Sequence, residues 1–162
     1  MAKHFVVVAP NLTVFERLKE DFGDGKIFNE DPLIPSEWKG DWNLSVVLQD
    51  DTAGAATGGI LYLTNIHRLY DVSKRKKKDA ETYDWIGPSV SKSKALDTGE
   101  ALRERITSHK RVMVFNDEAH HLWDPDSAWN EAITYLNDTI RKRGGEGLIS
   151  QLDFSATPKD NE

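Results

Sequence analysis

The chain is punctuated by short, β-branched apolar runs that stop abruptly at polar or turn-forming residues, and this pattern limits its fold more than any other feature. Residues 5–9 end at Pro10-Asn11, 44–48 at Gln49-Asp50, 60–63 at Thr64-Asn65, 111–115 at Asn116-Asp117, and 148–154 at Ser155. Runs this short and this apolar read as strands buried on both faces. Between them the apolar spacing turns helical. Val14, Phe15, Leu18 and Phe22 mark one helix, with Thr13 placed to cap it and Gly23 to end it. A short helix fits the residues from Asn65 to Tyr70, a longer one residues 99–109, and an amphipathic one residues 127–143, closed by Gly144-Gly145. Strands alternating with helices predict parallel βαβ units. The expected class is α/β, a three-layer α/β/α sandwich around a mainly parallel sheet.

At 162 residues with 38% hydrophobic content, the chain can build one core and one domain. Residues 25–41, with Pro32, Pro35 and Gly40, read as loop, and residues 71–98 read as an exposed insertion carrying the basic run 74–78. The absence of cysteine excludes disulfides and thiolate chemistry and fits a reducing cytoplasm. No apolar run approaches the roughly 20 residues that cross a bilayer, so no membrane partner is expected. A net charge of −6 argues against holding nucleic acid by bulk attraction, so any such contact must be local.

In parallel α/β sheets chemistry gathers beyond the carboxyl ends of the strands. That rule selects Ala9-Pro10-Asn11, Thr64-Asn65 and the residues from Asn116 onward. Asp117 and Glu118 place two carboxylates directly beyond an apolar strand. One such carboxylate can hold Mg²⁺ through water while its neighbour orients or deprotonates a water for in-line phosphoryl transfer. Asp117 takes the metal role and Glu118 the water role in this reading. The plainer alternative is that the pair only begins a loop or caps the next helix.

Asp117-Glu118-Ala119-His120 together resemble the DEAH form of the Walker B motif, and Ser155-Ala156-Thr157 resembles motif III of superfamily 2 helicases. Val7-Val8-Ala9-Pro10-Asn11 is similar to motif Ia, and Thr64-Asn65 stands where a further nucleic-acid-contacting motif belongs. Within that superfamily, Asn116 to His121 with Leu152 to Pro158 most resembles the restriction subunit of type III restriction enzymes. The resemblance implies a partial RecA-like (P-loop NTPase) first lobe over residues 1–162, with ATP and Mg²⁺ as cofactors and DNA as the track. It also implies a second RecA-like lobe, a methyltransferase subunit and a separate nuclease domain as associates. By the same resemblance, His120 would link the ATP site to the second lobe, and Ser155 and Thr157 would couple hydrolysis to nucleic-acid binding. Pro10 and Asn11, with Thr64 and Asn65, would lie against the sugar-phosphate backbone.

One component is absent from the sequence. A phosphate-cradling loop reads G-x-x-x-x-G-K-[ST], whereas the sole Gly-Lys, Gly25-Lys26, is followed by Ile27 and has Glu20 at the first glycine position. The expectation is truncation upstream, a gap at a central sheet position, and a piece inactive alone that is weakly stable or self-associating. A domain that kept the fold as a nucleic-acid-binding or scaffold module is the alternative. Adjacent His120-His121 lacks the spacing of a helical zinc pair, and His4, His67 and His109 read as scattered ordinary residues. Among the tryptophans, Trp129 reads as a core anchor, and the others lack the basic surroundings that base stacking favours.

Overall fold

The computed structural model describes residues 3–30, 34–51, 58–70, 92–117 and 128–155. Five strands, β1 (His4–Ala9), β2 (Leu44–Leu48), β3 (Gly59–Asn65), β4 (Arg111–Asn116) and β5 (Gly147–Asp153), form one sheet in the order β2-β3-β1-β4-β5. Every neighbouring pair is parallel. The helices are α1 (Leu12–Phe22), α2 (Lys26–Glu30), α3 (Ile66–Leu69), α4 (Lys92–Thr107) and α5 (Ala128–Lys142).

The period of two along β1 sorts its side chains between two cores. Val6 and Val8, with Tyr62, Val112 and Val114, pack under Leu69 of α3, Leu102 and Ile106 of α4, and Trp129, Leu136 and Ile140 of α5. Val7 and Ala9 point the other way and meet Val14, Phe15, Leu18 and Phe22 of α1. The result is the three-layer α/β/α sandwich with a parallel sheet expected from the sequence. Burying a large aliphatic side chain contributes about 1.5–3 kcal/mol, so α4 and α5 are held chiefly by this face.

Several local expectations are corrected. The cap of α1 is Asn11, whose extended backbone precedes the first turn and whose Oδ1 accepts from the Val14 N–H at 2.9 Å. Thr13 already lies inside the helix. Residues 25–41 are less loop-like than expected, since α2 and short 3-10 turns at Gly23–Gly25 and Ser36–Trp38 occupy part of them. Helix α4 begins at Lys92, well before the expected start at Gly99 and inside the stretch that reads as insertion. Gly144 ends α5 with φ +81°, a left-handed turn that glycine adopts without strain.

The expected gap in the sheet is not there. β1 pairs with β3 on one side and β4 on the other, and β4 pairs with β5, so any added strand can join only at β2 or β5. On the α1 side, that helix packs over β1 and β3. Met113 and Phe115 of β4 stay half-buried there, and Leu152 of β5 is 37% exposed. The β5 edge is made irregular by a bulge: Val112 pairs with Leu148 but Met113 with Ser150, which leaves Ile149 as the extra residue.

At the opposite end of the strands, His4 and His109 stack with ring centroids 3.6 Å apart and planes within 9°. A His109 ring nitrogen also lies 2.8 Å from the Tyr62 hydroxyl. These histidines form a pair, not the scattered residues expected. Burial lowers the pKa of both, and the neighbouring His4 adds to the effect on His109, which falls to about 4. The folded chain therefore keeps both rings neutral while the unfolded chain takes up protons first. Their contribution to stability is complete above pH 6.5 and is lost as pH falls from there towards about 4. Thermal melts across that window should show a falling midpoint, and His4→Phe, which retains a stackable ring, should flatten the fall. An equal slope in the variant would remove the pair as its cause.

Candidate nucleotide and nucleic-acid site

Because all five strands are parallel, their carboxyl ends form one row. Ala9 lies opposite Asn65, Val8 opposite Asn116, and Asn116 opposite Asp153. With strands about 4.8 Å apart, the row from β3 to β5 spans about 14 Å. The residues singled out in three separate parts of the sequence thus end on neighbouring strands. Main-chain bonds continue this alignment past the strand ends: the Asp117 N–H donates to Val8 O at 3.1 Å, and the Phe154 N–H donates to Asn116 O at 2.9 Å.

At the centre of the row, Pro10 is buried and Asn11 is exposed. The Asn11 cap turns the chain from the end of β1 into α1, an 11-residue helix that starts at the row. A helix start of this kind attracts phosphate through its free N–H groups and dipole. Thr13 is exposed beside it.

On the β3 side the arrangement differs from the expected one. Thr64 and Asn65 are the last residues of β3, not loop residues, and they are 0% and 5% exposed. The Thr64 hydroxyl donates to Gln49 Oε1 at 3.3 Å, and the Asn65 N–H donates to the same oxygen at 3.1 Å. The Asn65 side chain in turn accepts from the Arg68 N–H at 3.3 Å and caps α3. These side chains are engaged inward, so a phosphate reaching this tip would meet main chain and not the Thr64 hydroxyl. Gln49, overlooked in the sequence, is the brace that holds β2 to β3 here. Its signal was a polar residue directly following an apolar strand.

On the β4 side, Asp117 is half-buried at the tip. Behind it, Asn116 is fully buried, with Nδ2 donating to Asp153 Oδ1 at 2.7 Å and Oδ1 accepting from Trp129 Nε1 at 3.2 Å. The amide orientation follows from its partners, because an indole can only donate and a carboxylate can only accept. Ser155 follows β5 by two residues and is half-buried. Trp129 is 3% exposed and anchors α5 as expected. Glu118, His120 and Thr157 lie outside the described residues, as do the basic run 74–78, Trp85 and Trp123. Trp38 and Trp42 are 62% and 41% exposed, flanked by Glu37 and Asp41, which does not suit base stacking against phosphates.

Among the described residues, no group of three or more His, Asp or Glu side chains could hold a metal by itself. Mg²⁺ needs none, since one or two carboxylates, waters and substrate phosphates complete its octahedron. A single half-buried carboxylate such as Asp117 fits that requirement. No helix among the described residues is long and apolar enough to cross a membrane.

A family model described as type III restriction enzyme, res subunit, matches residues 1–160. Comparison with curated proteins and with solved structures returned no match. The family's helicase-like domains are of the P-loop NTPase class, in keeping with the parallel sheet and flanking helices found here. A match over nearly the whole length, on this fold, means that the chain belongs to the type III restriction enzyme res-subunit family.

Proposed function

We propose that this chain forms part of the ATP-hydrolysing motor of a DNA translocase, with its catalytic and nucleic-acid contacts arranged along the single row of strand ends. The observation that carries the reading is the register: Pro10-Asn11, Asp117 and Ser155 follow three adjacent strands. Asp117 would hold Mg²⁺, which supplies charge neutralisation on the transferred phosphoryl group. Glu118, the next residue, orients and deprotonates the attacking water. Ser155 and Thr157 couple the site to bound DNA, and His120 relays to a second lobe. Family membership goes with DNA interaction in general, and the α1 start is the surface best suited to it.

The phosphate cradle must come from residues other than Gly25-Lys26. That pair sits past the far end of α1, about 16 Å of helix away from the row. A further strand joining β5, followed by a helix over Phe5, Met113, Phe115 and Leu152, would bring a cradle next to Asp117 and cover the half-exposed apolar side chains. In this reading the 162 residues alone do not turn over ATP, and a second lobe and a methyltransferase subunit are partners of the assembled enzyme.

Thr13→Glu tests the DNA contact. A carboxylate in the first turn of α1 suits the helix dipole, so stability should hold or rise. The same charge opposes a phosphate, and duplex affinity at low salt should fall by about tenfold, with a shallower salt dependence. Fluorescence anisotropy with a labelled duplex reads both quantities. Unchanged affinity would take the α1 start out of the DNA interface.

A further inference from the structure

Asn116 occupies a position where the core would accept a valine. The two preceding inward-facing residues of β4, Val112 and Val114, are both 0% exposed, and so is Asn116. A buried amide costs about 1–3 kcal/mol if either end is left unpaired, yet here both ends are used. Its oxygen is held by Trp129 of α5 and its nitrogen by Asp153 of β5. Its own carbonyl accepts the Phe154 N–H. Asp153 is also held by Gln151 Nε2, 3.0 Å from each carboxylate oxygen. One side chain therefore ties β4, β5 and α5 together immediately behind Asp117 and just before Ser155.

We infer that Asn116 is a positioning residue that makes the β4 and β5 tips move as one unit, so that a displacement at Ser155 is felt at Asp117. The amide cannot follow Asp153 outward without leaving Trp129, and loss of that buried bond is costly. A Val at this place would leave the two tips joined by the main chain alone, through the strand pairing and the Phe154 N–H on the Asn116 carbonyl, with no tie to α5. The functional meaning rests on the reading of Asp117 and Ser155 as members of one ATP site. The mechanical coupling does not.

Hydrogen exchange on the full chain, without nucleotide, separates the two. The Asp117 N–H bonds to Val8 of β1 and, among the described residues, not to β5. Asp153→Ala removes only an exposed edge carboxylate, so the fold should survive. Exchange at the Asp117 amide is nevertheless expected to accelerate by about tenfold, the equivalent of one hydrogen bond, while β2 and β3 amides stay unchanged. Asn116→Asp should do the same by facing one carboxylate with another. The double swap Asn116→Asp with Asp153→Asn restores a donor-acceptor pair and should return exchange to the starting rate. If Asp153→Ala alters exchange only at residues 151–154 and leaves Asp117 untouched, Asn116 is a local fastening and the inference is wrong. Loss of the ATP reading would appear instead as a complete motor without turnover, with this coupling intact.

Discussion

Glu118→Gln should lower DNA-stimulated ATP turnover of the assembled motor by about a hundredfold to ten-thousandfold, the usual contribution of a positioned general base. The substitution keeps the size and hydrogen-bonding reach of the side chain and removes only its capacity to take a proton. Asp117 precedes it at the tip of β4, held by its N–H to Val8, so the neighbour that would hold Mg²⁺ should be undisturbed. DNA affinity should therefore survive, and nucleotide affinity should be equal or tighter. Steady-state phosphate release at saturating Mg-ATP measures the effect. Turnover close to that of the parent would remove Glu118 from the reaction and leave the Asp-Glu pair as a helix cap.

The largest stability effect is expected at Trp129. Its indole is 3% exposed among Ala132, Ile133 and Leu136, and its N–H satisfies the buried oxygen of Asn116. Trp129→Ala removes a large buried side chain, a loss of about 3–5 kcal/mol, and also strands the Asn116 oxygen, which adds about 1–3 kcal/mol. Against a domain stability of about 5–15 kcal/mol, that is enough to leave a substantial unfolded population. Trp129→Phe keeps an aromatic ring in place and loses the N–H, so its cost should be far smaller. Urea titrations of the two variants distinguish packing from hydrogen bonding: comparable losses would mean that the bond to Asn116 dominates.

The strands were legible because β-branched residues bounded by Pro, Asn, Gly and Asp leave few other readings, and all five appear within two residues of their expected limits. Helices α1 and α5 were legible from their apolar stripes. The start of α4 was not, because Lys92-Ser93-Lys94 has the composition of a solvated loop and carries no apolar period. The polarity of Thr64 and Asn65 suggests exposed loop. What overrides that is Gln49, which supplies a buried acceptor from another strand. The same limitation hid Asn116 and the His4–His109 pair. Each depends on partners brought together by the sheet and its connecting helices, and local spacing holds no trace of them. Local spacing does not encode strand order, so an unfilled central position is expected from the sequence, whereas the pairing leaves β5 at the sheet edge among the described residues.

The central claim is that the strand-end row is a working ATP site coupled to DNA. Its most direct test is Mg-ATP hydrolysis, with and without duplex DNA, by the motor completed with a phosphate-binding loop and second lobe, alongside the 162-residue chain. The account predicts turnover only in the completed motor, stimulated by DNA and abolished by Glu118→Gln. A completed motor that binds DNA but neither binds nor hydrolyses Mg-ATP would contradict it and make this domain a nucleic-acid-binding scaffold.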